Sequence, residues 1–142
     1  MASLNSYLNF NGNTEEVFNF YKSVFGGEFS ILTRFKDHPE ACNGLPMAEQ
    51  DGIMHIALPI GKNSILMATD VPSVMPKVTP GTNMSISITA DTKAEADALF
   101  SGLSEGGKID MPLTTMMWGD YFGMLTDKFD IQWMVSFNEN NK

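Results

Sequence analysis

Side chains able to do chemistry are few in this chain of 142 residues, which contains two histidines and one cysteine. His55 alternates with Ala57 and Pro59 on one side of an apolar run. An imidazole, whose unperturbed pKa is about 6.5, suits proton transfer and ligand binding. No second titratable residue on the neighbouring runs is an evident partner for it. Two interpretations stay open: a ligand-binding or acid–base group, or a histidine satisfied by a neighbouring hydroxyl or carbonyl.

Aromatic residues near the carboxyl end form a second candidate set. The segment Trp118–Tyr121 could place an aromatic wall and the Tyr121 phenol at the mouth of a small-molecule pocket, since such pockets are mostly apolar with a few polar groups. Trp118 could equally cover the end of a sheet or belong to a dimer contact. Trp133 alternates with Val135, so we expect it on a packed strand face.

Other reactive residue types are interpreted as structural. Cys42 has no adjacent Lys or Arg to activate it, so we expect an unreactive thiol. The segment Asp37–Glu40 has metal-binding residue types, but we expect them to be solvated. Methionines of the second half are interpreted as core filling, although a thioether also suits a pliable binding surface. These methionines are Met111, Met116, Met117, Met124 and Met134.

One motif match is rejected. Gly102–Lys108 fits the G-x-x-x-x-G-K pattern of a phosphate-binding loop, but Ile109 stands where Ser or Thr is required. The match also ends a predicted helix, whereas a phosphate loop begins one, so we interpret it as a helix stop. The chain lacks the H-E-x-x-H, C-x-x-C, G-x-S-x-G and EF-hand spacings.

Composition excludes several classes of partner. Nine Lys and Arg against seventeen Asp and Glu give a formal charge of −8, which repels nucleic-acid phosphates and anionic lipid, so we expect neither. No apolar run approaches the roughly 20 residues of a membrane span. Met1–Phe10 shows no export signal, and a single cysteine fits a reducing compartment, so the sequence predicts a cytoplasmic protein. The length predicts one domain, residues 1–142.

The elements that position these residues follow from periodicity. Two amphipathic helices are predicted over 13–27 and 91–107, each opening with a capping residue, Asn13 or Thr92, and ending at a Gly-Gly pair. An alternating strand precedes each helix and three strand candidates follow it. The predicted strands are 5–10, 28–35, 53–60 and 64–69 in the first half, and 83–88, 108–111, 121–126 and 131–137 in the second.

The order of elements is repeated. Asn5 and Asn83 lie 78 positions apart, and Gly26 and Gly106 lie 80 apart, so one βαβββ unit is written twice. The sequence therefore predicts the α+β class with two modules, at about 1–70 and about 83–142. A proline-containing linker of about 71–82 joins them.

A duplicated βαβββ unit whose first helix carries Phe20-Tyr21 followed by Gly26 resembles the vicinal-oxygen-chelate superfamily, which includes glyoxalase I, extradiol dioxygenases, and fosfomycin and bleomycin resistance proteins. The resemblance implies that the modules form a single curled eight-stranded cup with the helices outside, and that the protein is a homodimer. Further segments look like the PhnB-like branch, often named after a 3-demethylubiquinone methyltransferase. They are Tyr7–Asn13, Met54–Gly61, Trp118–Gly123 and Thr126–Phe129.

In that superfamily, inward-facing side chains from four strands bind a metal. By strand phase, the resemblance places these positions at Asn5, His55, Asn83 and Met134. One imidazole, two neutral amides and a thioether are poor ligands for Zn²⁺, Mg²⁺ or Mn²⁺. We therefore expect no cofactor, and if a divalent metal does bind, His55 is its ligand. The chain also has no glycine-rich loop after a strand that could hold a methyl donor.

The resemblance leads to three functional hypotheses, none with an assigned catalytic residue. The favoured one is a metal-independent protein of the PhnB-like branch that binds a small molecule of unknown identity. The alternatives are a divalent-metal-dependent lyase, isomerase or dioxygenase of the glyoxalase type, and a drug-sequestering resistance protein, whose acidic surface would favour a cation such as bleomycin. The residues predicted to line the pocket are His55, Tyr7, Asn5, Asn83, Trp118, Tyr121 and Met134.

Overall fold

The computed structural model describes residues 1–139 and divides the chain into two compact units, Met1–Thr79 and Pro80 onward. Each unit contains one βαβββ module, so the α+β class and the two predicted modules are confirmed. The boundary between the units falls inside the segment predicted as a linker, while the assignment of the whole chain to one domain stays a prediction. None of the helices in residues 1–139 is long and apolar enough to cross a bilayer.

The modules have the same order of elements. The first consists of β1 Ser6–Phe10, α1 Thr14–Phe25, β2 Ile31–Arg34, β3 Ile53–Ile60 and β4 Ser64–Asp70. The second consists of β5 Ile86–Thr89, α2 Lys93–Ser104, β6 Lys108–Thr115, β7 Tyr121–Thr126 and β8 Gln132–Phe137. The segment between β2 and β3 contains three short 3-10 turns, Phe35–Asp37, Pro39–Cys42 and Met47–Glu49.

Each module builds one mixed four-stranded sheet that is not closed on itself. The strand order is β1-β4-β3-β2 in the first and β5-β8-β7-β6 in the second. The strand before the helix pairs parallel with the last strand, and the other pairs are antiparallel. In each module the helix packs on one face of the sheet, and the face on the other side is called the open face below.

The core of the first module lies between α1 and the sheet. Val17, Phe18 and Tyr21 of the helix are fully buried, as their helical spacing requires. Asn13 occupies the N-cap position as predicted, but its side chain makes no capping hydrogen bond. The carboxylate of Asp70, at the end of β4, accepts from the Thr14 amide at 2.9 Å instead. The cap of α1 therefore comes from the sheet.

The core of the second module contains Trp133, which is 1% exposed and lies on the packed strand face predicted for it. Its Nε1 donates to the buried Asp127 carboxylate at 2.8 Å. The predicted cap of α2 is also confirmed, because the Thr92 hydroxyl accepts from the Glu95 amide at 3.0 Å. Thus α2 is capped by its own flanking residue.

Methionines do not fill the core of the second module, and the core-filling interpretation is wrong for them. Met124 and Met134 face each other directly across β7 and β8, between the buried Leu125–Trp133 and Gly123–Val135 pairs. Because side chains alternate along a strand, these two methionines point to the open face while their neighbours enter the core. Met117 is 97% exposed, and Met111 and Met116 are not buried either.

Candidate functional site

Because side chains alternate along β3 and Ile56 is fully buried, the neighbouring His55 lies on the open face. His55 is half-buried there, directly opposite Thr33 of β2. Ile53 is also fully buried although it is three positions from Ile56, which strict alternation does not allow. The register with β2 shifts between Thr33 and Arg34, so one extra residue is accommodated as in a β-bulge, and Ile53 returns to the core.

Tyr7 is the partner that the sequence did not reveal for His55. Its hydroxyl lies 3.2 Å from His55 Nδ1, within hydrogen-bond distance. The two rings are also stacked, with centroids 5.6 Å apart and planes inclined by 20°. The residues lie on β1 and β3, which are separated by β4, so the pair spans three strands. Two predicted site residues are therefore brought together, on the open face of the first module.

Asn5 immediately precedes β1, and its Oδ1 accepts from the backbone amide of Ile65 at 3.3 Å. This bond ties the start of β1 to β4. Asn83 differs, because it is exposed and lies three positions before β5 begins at Ile86. Burial along the two first strands matches at a spacing of 80, which makes Ser85 the structural counterpart of Asn5.

Tyr121 and Met134 do not share a face. Tyr121 lies opposite Phe137 on the helix side of its sheet, and its hydroxyl donates to Asp97 of α2 at 2.5 Å. The hydrogen bond to this carboxylate raises the pKa of Tyr121 above its usual value, so the phenol keeps its proton. Lys93 Nζ lies 4.8 Å from the centre of the same ring. Met134, on the open face, has a different set of neighbours.

Trp118 lies in the turn between β6 and β7 and is 66% exposed. Its Nε1 donates to Asp120 at 2.9 Å, and the same carboxylate accepts from Asn138. The indole is therefore held by its own turn. The second unit does contain a cavity of about 500 Å³ at the start of α2, lined by residues that include Lys93 and Tyr121.

A cavity of about 290 Å³ in the first unit lies beside the start of α1, away from His55. Its acidic lining residues are engaged within the protein. Glu15 pairs with Arg34 at 2.7 Å, and Glu49 accepts from Ser73 at 2.6 Å. These hydrogen bonds lower the pKa of both glutamates. The cavity is thus bounded by carboxylates that already serve as structural links.

The donor set does not fit a divalent metal. Of the four positions that the resemblance suggested, only His55 offers a strong nitrogen ligand, and its Nδ1 faces the Tyr7 hydroxyl. Across residues 1–139 no cluster of three or more His, Cys, Asp or Glu side chains could hold a metal ion. His38 and Glu40, which have metal-binding chemistry, are exposed and 3.8 Å apart. No chemical step through a metal follows from these residues.

Comparison with known proteins identifies the family. The model of the Glyoxalase/Bleomycin resistance protein/Dioxygenase superfamily matches residues 3–135. Protein YjdN from Escherichia coli (strain K12) is 26% identical over 140 residues, which cover 94% of this chain and 93% of that protein.

Solved structures agree with this match. Protein PA1353 from Pseudomonas aeruginosa shares 39% identity with a TM-score of 0.84, covering 97% of this chain and 98% of the other. A PhnB protein from Bacillus cereus, described as a candidate 3-demethylubiquinone-9 3-methyltransferase, shares 26% identity with a TM-score of 0.73, covering 96% and 99%. The fosfomycin resistance protein FosX from Listeria monocytogenes, complexed with Mn(II) and sulfate, shares the fold at 9% identity and a TM-score of 0.63, covering 96% and 92%.

Proposed function

Because the chain belongs to the glyoxalase/bleomycin resistance/dioxygenase superfamily and to its PhnB-like branch, we propose that it binds a small organic molecule without a metal, on the open face that carries His55. Members of this superfamily bind small molecules. This chain keeps that role and binds its ligand without a metal. The observation that carries it is the contact between Tyr7 and His55 at 3.2 Å. An imidazole and a phenol can donate hydrogen bonds to a ligand and accept them from it without a metal ion.

The donor chemistry supports the metal-independent form of the proposal. The Asn5 amide, the hydroxyl of its structural counterpart Ser85 and the Met134 thioether are weak ligands for divalent ions. The amide oxygen of Asn5 already accepts a backbone hydrogen bond. A single histidine cannot supply the three protein ligands on which catalytic zinc sites are built.

Ligand-induced stabilisation of the intact protein tests the proposal. A metabolite panel and a divalent-metal panel are compared by thermal unfolding, since a ligand at 100 times its Kd adds about 2.7 kcal/mol of stability. We expect an organic compound to raise the Tm of the wild type and of His38→Ala, but not of His55→Ala or His55→Gln. His38 is the matched control, because it is the other histidine of the chain and lies in an exposed loop.

Metal-dependent results would contradict the proposal. They are a stoichiometric divalent ion in untagged protein as purified, or a metal-induced rise in Tm that disappears in both His55 variants. Either would favour the glyoxalase-type lyase, isomerase or dioxygenase. Failure of every organic compound to stabilise the wild type would remove the binding role itself.

The homodimer and the cytoplasmic location are part of the same proposal, and both are supported only by the family resemblance and the single cysteine. Light scattering of the purified protein should give twice the chain mass of 15.7 kDa. A monomer across the micromolar range would contradict the dimer.

A further inference from the structure

The open face of the first module carries an apolar row that crosses all four strands. Tyr7 lies opposite Met67, Met67 lies opposite Ala57, and Ala57 lies opposite Ile31. Directly opposed side chains in a sheet lie about 5 Å apart, so these four form a continuous strip. Tyr7 and Ile31, at the two ends of the strip, are 45% and 44% exposed, whereas Met67 is half-buried and Ala57 is 2% exposed. A ligand can therefore reach the strip at its ends and at Met67.

A polar row runs beside the apolar one. Each of its members lies two positions from the member of the apolar row on the same strand, and they are Asn9, Thr69, His55 and Thr33. Asn9 lies opposite Thr69 in one strand pair, and Thr33 lies opposite His55 in another. The Tyr7 hydroxyl crosses from the first row to the imidazole in the second. The open face therefore carries two strips that run across the strands, one apolar and one of hydroxyl, amide and imidazole groups.

Neither row contains a carboxylate, ammonium or guanidinium group, although the chain carries 26 such residues. Arg34, next to Thr33, is bound to Glu15 of α1 on the helix side of the sheet. A cationic ligand on these rows would meet no counter-charge, and an ion held without a counter-charge is costly to desolvate. The face thus favours an uncharged ligand.

The direction of the Tyr7–His55 hydrogen bond determines which imidazole nitrogen can donate a hydrogen bond to a ligand. The Tyr7 hydroxyl can donate to His55 Nδ1 or accept from it, according to the tautomer of the imidazole, and no other residue in 1–139 hydrogen-bonds to that hydroxyl. When Nδ1 accepts, the neutral imidazole carries its own proton on Nε2. No described residue accepts from Nε2, which makes it a donor available to a ligand.

We infer that the open face of the first module binds an uncharged organic molecule through one oxygen acceptor, such as a carbonyl. The oxygen accepts from His55 Nε2–H, and the apolar body lies along Tyr7, Met67 and Ile31. Tyr7 is a positioning residue, because it fixes the tautomer of His55. This inference rests on the proposed function and adds the chemical class of the ligand.

Three probes of similar shape and different charge test the inference on the intact protein: acetophenone, 1-phenylethylammonium and phenylacetate. NMR follows the methyl groups of Met67 and Ile31 and the ring nitrogens of His55, with the His38 ring as an internal control. We expect saturable shifts with acetophenone, and binding by the two ions at least roughly ten-fold weaker, because neither ion finds a counter-charge. The free protein should show His55 protonated on Nε2.

Two variants distinguish the contribution of the His55 hydrogen-bond donor from that of the apolar strip. Tyr7→Phe keeps the ring and removes the hydroxyl, so His55 should populate both tautomers while the methyl shifts with acetophenone remain. His55→Leu keeps the apolar strip, and acetophenone should bind roughly five- to ten-fold more weakly, the effect of one neutral hydrogen bond. His38→Leu should change nothing.

Some outcomes overturn the inference and leave the proposed function intact. They are a His55 protonated on Nδ1 in the free protein, an ion that binds this face as tightly as acetophenone, or methyl groups unaffected by all three probes while the metabolite panel still gives His55-dependent stabilisation. If that stabilisation is absent as well, the proposed function fails with the inference.

Discussion

The two modules place a buried carboxylate at different points of the same architecture. Asp70 in the first module accepts from the amides of Thr14 and Ile53, so it joins α1 to β3. Asp127 in the second module accepts from the amides of Phe129 and Ile131 and from the Trp133 indole, so it organises the β7–β8 connection. The first module therefore depends on its acid for helix docking, and the second depends on its acid for hairpin geometry.

The side-chain contact between the helix and its sheet also differs between the two modules. In the first, Arg34 of β2 binds Glu15 of α1 through both carboxylate oxygens, at 3.0 and 2.7 Å. In the second, Tyr121 of β7 donates to Asp97 of α2. The two modules therefore keep the helix in the same position with different contacts. Variants at corresponding positions test this difference.

Asp127→Ala should have the largest effect, a loss of roughly 4 kcal/mol in the free energy of unfolding, because three donors lose a buried acceptor. Denaturant unfolding followed by far-UV circular dichroism measures it. Asp127→Asn keeps one acceptor oxygen and should lose about half as much. Equal, small losses in both variants would show that the carboxylate does not organise this hairpin.

Gly107→Ala should have the next largest effect, a loss of roughly 3 kcal/mol in the free energy of unfolding. The added Cβ would lie 2.3 Å from the Thr126 carbonyl oxygen. The matched variant is Gly27→Ala, the second glycine of the other Gly-Gly pair. There the Cβ meets nothing within 4 Å, and only the φ of +80° opposes it, at about 1 kcal/mol. Chemical denaturation of the two variants should therefore separate them. Similar losses would contradict the close approach of the Thr126 carbonyl to Gly107.

Asp70→Ala should lower the free energy of unfolding by about 2 kcal/mol, since two backbone amides in a buried setting lose their acceptor. Amide hydrogen exchange should quicken at Thr14 and Ile53 and stay unchanged in α2, whose cap is Thr92. Faster exchange in both helices to the same extent would contradict a role confined to the first module.

The Arg34–Glu15 pair should have the smallest effect. Both side chains are partly solvated, so a double-mutant cycle of Arg34→Met and Glu15→Gln should give a coupling of no more than about 1 kcal/mol after screening. The hydrogen bond from Arg34 holds the pKa of Glu15 below its ordinary value of 4.5. The coupling should therefore be fully present above that value and disappear as pH falls through the lowered pKa. A coupling unchanged at pH 2 would contradict an ionic contribution.

Local patterns in the sequence predicted the elements well. Thr92 and Glu95 are three positions apart, so the cap of α2 could be inferred from neighbours in the chain. Trp133 was placed in the core by strict alternation. The cap of α1 could not be predicted, because Asp70 is 56 positions from Thr14, at the end of another strand.

The candidate site shows the same limit. Tyr7 and His55 were each predicted to line a pocket, but their contact depends on the strand order and on the register of the intervening strand β4, which periodicity does not reveal. Met124 and Met134 alternate with core residues, and alternation alone cannot tell which face the helix will cover. Asn83 was matched to Asn5 by strand phase and a repeat of 78 residues, whereas β5 starts at Ile86 and the two first strands correspond at a spacing of 80.

The two tryptophans make the second unit optically distinct from the first. Trp133 is 1% exposed with its indole nitrogen on a carboxylate, whereas Trp118 is 66% exposed, so their emission should differ in wavelength and in access to a soluble quencher. The first unit has no tryptophan at all. Tryptophan emission is thus a native label for one half of a duplicated protein, and a change in the quenchable component on addition of a ligand reports that the second unit responds to binding.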